Sequence, residues 1–345
     1  MRNYNLIFTL DYEIHGNGDG CPYALIIEPT YRLMDVLERY GAKLTILADV
    51  AEILCFKRYY EECGDDKFHY LKIEAQLKDA ILRGHDVQLH IHSSYFKSHY
   101  NGVKWDQYIE EYNMANLPYE RINEMVSLSV DYLNNLLQPI AASYKCKIFR
   151  AANWSMMPTK NIYKALVNNG ITIDTSVYKG GCQGGNVCYD YRDAYSNLLS
   201  YRASENNINM FDSNGKITEY PIYTEMRYFW HFITPLRLFR MIRAKFHKHK
   251  RVENGASQEI EQNDNRKLRF KSFFTKSPWK FDFNQASGVQ MIGALKRIMR
   301  LSINKKDVDI VLIGHSKTFV SYNEKTLEYF LQRVVKYKTV KFKLF

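Results

Sequence analysis

Apolar runs of strand length alternate with segments of helical periodicity along most of this chain. Six of the runs lead into polar residues: LIFTL into Asp11, KLTILA into Asp49, VQLHI (which holds His90) into His92, KIF into Arg150, ITI into Asp174 and VLIG into His315. Between them the spacing predicts helices over Pro29–Tyr40, closed by Gly41, over Ile73–Leu82, stopped by Gly84, and from Pro158 to Gly170. Residues Trp105–Leu137 read as two helices interrupted at Pro118, and Val289–Leu301 and Glu324–Tyr337 as two more. The matching strands are Ala42–Ala48, His85–Ile91, Cys146–Phe149, Ile171–Ile173 and Val308–Ile313, after a first one ending at Asp11. Such alternation predicts an α/β fold, a parallel sheet or barrel with right-handed crossovers. Ligand sites in these folds lie at the carboxyl ends of the strands, which is where the six polar positions fall.

The alternation lapses once. From Asn207 to Tyr223 the pattern turns to short hairpin-like strands, and Arg237–Arg251 (RLFRMIRAKFHKHKR) follows with seven Lys or Arg and no acid. Leu238, Phe239, Ile242 and Phe246 recur there at helical spacing, which describes a basic amphipathic helix. It reads either as a solvated helix with one core-facing stripe or as a surface for an anionic membrane or a phosphate-bearing carrier. A polar, glycine-containing stretch, VENGASQEIEQNDNRK, reads as a loop after it. The expectation is one domain over 1–345, with an insertion at about 205–290 of short strands, basic helix and polar loop.

At 345 residues, 46% hydrophobic, the chain can bury a large core. The net charge of +11 is concentrated in the basic segment, and no recognised module or aromatic-basic array accompanies it, so nucleic acid is not an expected partner. Six cysteines without CxxC or zinc-finger spacing read as reduced thiols, with Cys182 and Cys188 the one pair to check. The apolar run Leu6–Leu10 is too short for a signal-peptide core or a membrane span, so a cytoplasmic, at most membrane-peripheral, location is expected.

Residues two apart on a strand share a face, so Asp11 and Glu13 point together, as do His90 and His92. Two imidazoles and a carboxylate on neighbouring parallel strands can converge on one divalent cation that keeps a position open for water. The alternative is a pair of hydrogen-bonded histidines at a loop mouth beside ordinary loop or capping acids.

These residues resemble the polysaccharide deacetylases, the carbohydrate esterases with a NodB homology domain. TLDYE resembles the first family motif, GHDVQLHIHSS the metal-histidine motif, FRAANW the arginine motif, IDTS the Asp-x-Ser motif and IGH the last, in the family's order from Thr9 to His315. The resemblance implies a distorted parallel (β/α) barrel, Asp11 as general base, His90 as metal ligand, Arg150 holding Asp11, and His315 as general acid tuned by Asp174. It departs where the family has a metal-binding aspartate and this chain has Tyr12, and where the second histidine is replaced by Ser94. Glu13 and His92 are the replacements that strand geometry permits. The arginine motif lacks its proline and the fourth motif its tryptophan. The implied function is metal-dependent amide hydrolysis, with zinc the leading metal, on an N-acetylated sugar or glycan precursor of cell-surface glycan biosynthesis. Trp154 and Tyr178 are candidates to contact that sugar, and Tyr228 and Trp230 are further aromatic candidates. Two alternatives stand beside it: a metal-free hydrolase of the same fold acting on another carbon-nitrogen bond, and a non-catalytic member that binds carbohydrate or a membrane surface.

Overall fold

The computed structural model describes residues 2–14, 16–232, 275–302 and 307–345. The basic segment Arg237–Arg251 and the polar loop after it lie outside the described residues.

Nine strands make the main sheet: β1 (Tyr4–Tyr12), β2 (Leu44–Asp49), β3 (Asp86–Ile91), β4 (Ile148–Ala151), β5 (Ile173–Asp174), β6 (Tyr201–Ala203), β7 (Ile217–Glu219), β8 (Val308–His315) and β9 (Val340–Phe342). Their order is β6-β7-β5-β4-β3-β2-β1-β8, with β9 on the first residues of β1, and every pairing except β6-β7 is parallel. The sheet curls: Ile222 bridges Val311 and Asp282 bridges Ile313, both parallel, so the chain flanking the undescribed segment forms part of the wall next to β8. This is the mixed α/β half-barrel of NodB-like deacetylases. β1 and β2 are buried along almost their whole length, as strands covered on both faces of a parallel sheet must be.

Helices α1 (Glu28–Glu38), α2 (Val50–Cys63), α3 (Tyr70–Leu82), α4 (Tyr119–Leu137), α5 (Thr159–Asn168), α6 (Gly288–Leu301) and α7 (Ser321–Val334) pack outside the sheet. Two differences from the sequence expectation have physical causes. Helix α2 went unread, although Asp49 caps it through the Glu52 N–H and Gly64 ends it at φ 68°. Of the two helices expected over Trp105–Leu137, the one before Pro118 does not form. Its backbone donors are used by other loops: Trp105 N–H donates to Gly18 O at 2.9 Å and Tyr108 N–H to Ser94 O at 3.0 Å. The segment instead holds a short strand at Trp105–Asp106, paired with His99–Tyr100, and 3-10 turns at Ile109–Glu111 and Met114–Asn116. Among the described residues no helix is long and apolar enough to cross a membrane.

One buried histidine makes stability pH-dependent. His85 Nδ1 accepts from the Leu44 N–H at 2.9 Å and its Nε2 donates to Glu38 Oε1 at 3.0 Å, which fixes a neutral ring. Burial lowers its pKa from 6.5 to about 4 against the pull of Glu38. The unfolded chain therefore takes up this proton near 6.5 and the folded chain only near 4, so stability falls as pH drops through that window, by about 3 kcal/mol in full. Urea midpoints at pH 7 and pH 4.5 should show the loss, and His85→Asn, which has nothing to titrate there, should show a smaller one.

Candidate active site

Register brings the polar strand ends together. Asp11 pairs with His315 across β1-β8, Asp49 with His90 across β2-β3, and His90 with Arg150 across β3-β4. The period of two then sorts β1. Arg150 meets both Thr9 and Asp11, so these face the site with Glu13, whereas the Tyr12 hydroxyl donates to Gln76 Oε1 at 2.8 Å in the core on the other side. The position at which the resembled family has its metal aspartate is thus a packing residue here.

Glu13, His90 and His92 are all buried, and their ligand atoms lie within 4.8 Å of one another. Glu13 Oε2 is 2.5 Å from His92 Nε2 and 3.4 Å from His90 Nε2. His90 Nδ1 is 2.9 Å from Arg150 O, an acceptor, so this nitrogen carries the ring proton in the neutral tautomer and Nε2 presents its lone pair to Glu13. That Nε2 is a buried atom with no hydrogen-bond partner. An orphaned imidazole nitrogen beside a second imidazole and a carboxylate is a donor set that fits a divalent cation. Asp49 supports the set from behind, its Oδ1 accepting the His92 backbone N–H at 3.1 Å while it caps α2.

Burial opposes charge on His90, but Glu13, Asp11 and Asp49 outweigh it and raise its pKa to about 9. Without a metal the site therefore holds a proton, and a cation must displace it. Affinity for a divalent metal should fall as pH drops below about 9, by about tenfold per unit for each proton displaced. Calorimetric titration with zinc at pH 6.5, 7.5 and 8.5 should show this fall, together with proton release that varies with buffer ionisation enthalpy.

Next to this group lies a second cluster, Asp11, Arg150 and His315. Arg150 is fully buried; its Nη1 holds Asp11 Oδ1 at 2.6 Å, its Nη2 meets Thr9 Oγ1 at 2.9 Å and its Nε donates to Thr175 O at 2.8 Å. The other carboxylate oxygen, Asp11 Oδ2, lies 3.4 Å from His315 Nε2. Burial raises the Asp11 pKa, but Arg150, His315 and His90 overcome it and the net shift is downward, so Asp11 is ionised at neutral pH. Asp174 does not take the place expected for it. Its carboxylate accepts from Ser176 Oγ at 2.7 Å and Ser176 N at 3.2 Å and lies against Glu219, whereas the carboxylates near His315 Nε2 are Asp11 at 3.4 Å and Glu13 at 4.0 Å. Burial pushes both Asp174 and Glu219 upward, Glu219 strongly, with the two acids raising Glu219 further by mutual repulsion.

Lys317 is a member of the site that sequence reasoning missed. Its Nζ donates to Glu13 Oε1 at 2.7 Å and to Ile14 O at 3.1 Å. Burial works against this ammonium and Glu13 holds it charged, while Lys317 in turn helps to hold the Glu13 carboxyl well below its usual range. Carrying the Asp11–His315 register on by two residues puts Lys317 beside Glu13, a neighbourhood that only the strand pairing reveals.

The substrate-facing candidates meet at the mouth. Asn153 and Trp154 both sit in the left-handed region, at φ 52° and 57°, strain of a kind that concentrates at functional sites. They carry the Trp154 ring to 6.0 Å from His315 and 5.6 Å from Tyr178, edge-on to both. Lys280 Nζ lies 3.4 Å from the centre of the Trp154 ring and 4.4 Å from that of Tyr178. Gly314 is required beside His315, because a Cβ there would meet the Phe283 ring at 2.1 Å and Asn284 Oδ1 at 2.5 Å. That same Asn284 oxygen accepts the His315 N–H at 2.8 Å.

Comparison with solved structures finds the same architecture at very low identity. The chain is similar to a provisionally assigned glycoside hydrolase/deacetylase from Parabacteroides distasonis, with 8% identity over 99% of this chain and 69% of that one and a TM-score of 0.57. It is also similar to the allantoinase PuuE, with 11% identity over 99% of this chain and 87% of that one and a TM-score of 0.51. A provisionally assigned polysaccharide deacetylase from Mycobacterium smegmatis matches at 11% identity over 99% and 86% of the two chains, with a TM-score of 0.47. No family model and no curated protein matches the chain. At these identities the likeness to the first two structures establishes the fold alone.

Proposed function

We propose that this protein is a divalent-metal-dependent hydrolase of carbon-nitrogen bonds, and specifically a deacetylase of an N-acetylated sugar in glycan biosynthesis. The observation that carries the reading is the placement of Asp11 and His315, 3.4 Å apart, directly beside the Glu13, His90 and His92 donor group. Glu13, His90 and His92 would hold the ion, and zinc suits a donor set of two imidazoles and one carboxylate. Bound there, such an ion supplies an acidified water and polarises the acetyl carbonyl.

The chain's own groups do the rest. Arg150 keeps Asp11 ionised and aimed, with Oδ2 free to accept a proton as general base. His315, across the strand pair, donates to the departing amine as general acid. Trp154 and Tyr178 wall the site, giving a pyranose ring an apolar edge to pack on and limiting the approach of bulk water. Asp174 bonds Ser176 and lies against Glu219, so the reading assigns it no part in tuning His315. Acetate and free-amine release from a panel of N-acetyl sugars, with and without added zinc, tests the reading. Metal-stimulated release that disappears in Asp11→Asn supports it; a panel with no release under any metal counts against the deacetylase assignment.

A second reading rests on Lys317. Its ammonium already neutralises one oxygen of Glu13, as a resident cation would in a site that works without metal, and PuuE, which shares the fold, is an allantoinase. A metal-free hydrolase acting on another carbon-nitrogen bond would keep full activity after exhaustive chelation, whereas the leading reading requires activity to vanish and return with zinc.

A further inference from the structure

A cavity of about 620 Å³ opens beside the Trp154–Tyr178 wall, a size typical of small-ligand pockets. Three cationic side chains line it, Lys179, Arg192 and Lys276, together with the polar residues Asn197, Thr224 and Ser277, and no carboxylate-bearing residue is among its lining; Asn197 Nδ2 donates to Thr224 O at 2.8 Å and the Thr224 hydroxyl to Lys179 O at 2.9 Å. The sequence arranges this through a two-stranded hairpin of Thr224–Tyr228 and Lys276–Lys280, in which Thr224 pairs with Lys280, Met226 with Pro278 and Tyr228 with Lys276. Alternation puts those six side chains on one face, and four of them line the cavity. The hairpin's only acid, Glu225, belongs to the opposite face, where Arg227 and Arg297 hold it at 2.7 Å and 2.9 Å.

The cavity face runs straight to the active site. Lys280, on the same face as Lys276 and four residues on, reaches the Trp154 and Tyr178 rings, and Trp154 adjoins His315. Tyr178 leads directly into Lys179 and Gly180 on the cavity wall. Gly180 closes the seam: at φ 92° it lies so near the hairpin that a Cβ would meet Met226 Sδ at 2.8 Å. Of the three cations, Arg192 is engaged by Asp190, with Nε at 2.9 Å from Oδ1 and Nη2 at 2.5 Å from Oδ2. Lys179 and Lys276 have no carboxylate within 4.0 Å among the described residues.

We propose that this cavity binds a phosphate or diphosphate ester carried by the substrate, so that the sugar whose amide is cleaved is a phosphate-linked N-acetyl sugar and not a neutral glycan. The proposal rests on the hydrolase reading above for its connection to catalysis. Several cationic point charges around one cavity match an anion with many oxygens and more than one charge better than a single carboxylate. Lys179 and Lys276 supply the charge, Asn197 has one N–H left to offer beside the one that Thr224 O holds at 2.8 Å, and Lys280 spans the gap to the reacting end.

The first test is calorimetric titration of the full chain with inorganic diphosphate, repeated on Glu13→Ala so that anion held by a metal in the catalytic group does not count. Both proteins should bind, more weakly as salt rises, and the double variant Lys179→Ala/Lys276→Ala should bind at least tenfold more weakly. The second test compares KM for a free N-acetyl sugar with KM for its nucleotide-linked and polyprenyl-linked diphosphates, the two linked forms separating the sources of the phosphate. At least one linked form should show a KM at least tenfold below that of the free sugar, and the double variant should raise that KM. Absence of diphosphate binding, binding indifferent to the two lysines, or amide cleavage with equal KM for free and linked sugars would each overturn the proposal, the last while leaving the hydrolase reading intact. Lysine-dependent diphosphate binding without cleavage of any sugar amide would keep the anion site and overturn the hydrolase reading, and with it the cavity's role as a substrate subsite.

Discussion

Arg150→Met should destabilise the protein by about 3–5 kcal/mol, the range for removing one partner of a buried ion pair. Arg150 is fully buried, and its guanidinium satisfies Asp11, Thr9 and the Thr175 carbonyl at once. Methionine fills comparable volume but leaves the Asp11 carboxylate in the barrel with its main counter-charge gone. Against a total stability of about 5–15 kcal/mol, the loss is a large share. Chemical denaturation should show a midpoint far below wild type, or a variant that is soluble only at low temperature. The double variant Arg150→Met/Asp11→Asn should recover part of the loss, because the stranded charge has been removed as well. A midpoint within error of wild type would mean that the pair contributes nothing and that Arg150 does not hold Asp11.

Asp11→Asn should lower turnover by about 10²–10⁴-fold, the usual contribution of a positioned general base. The amide keeps the shape of the carboxylate and can still accept from Arg150 through its oxygen, so the backbone of β1 and the Glu13 side chain next to it should stay in place. Zinc affinity should therefore change by only a few-fold, with the loss confined to kcat. The acid side of the pH profile is informative too. Asp11 in the wild type is ionised well below neutral pH, so activity on the acid side should rise as the metal group sheds its protons and not as Asp11 does. A variant that loses zinc and turnover together would instead make Asp11 part of the metal group.

Much of this architecture was legible in the sequence because its signals are local. The runs ending at Asp11, Asp49, His90, Arg150, Asp174 and His315 are strands of one sheet in the structure, and Gly41 and Gly84 follow their helices with φ of 71° and 78°. The pairing of Asp11 with Glu13 on one face follows from the strand period alone. What stayed hidden depends on contacts between distant segments. The family resemblance implies that Asp174 tunes His315, yet Glu219, from a short strand 45 residues on in sequence, gives its carboxyl a different partner. The apolar spacing before Pro118 looked helical, but the donors of Trp105 and Tyr108 are taken by Gly18 and Ser94. Lys317 was overlooked because a lysine two residues beyond a strand-end histidine is ordinary by itself; only the parallel register of β1 and β8 gives it Glu13 as a partner. The hairpin cavity, likewise, exists only once Thr224–Tyr228 and Lys276–Lys280 are paired across the undescribed segment.

The most direct test of the account is metal stoichiometry by equilibrium dialysis against zinc at pH 8, for the wild type and for Glu13→Ala and His90→Ala. The account predicts close to one ion per chain in the wild type and at least a hundredfold weaker binding in each variant, with both variants still folded by circular dichroism. A wild type that retains no stoichiometric ion, or variants that bind as tightly as the wild type, would contradict it.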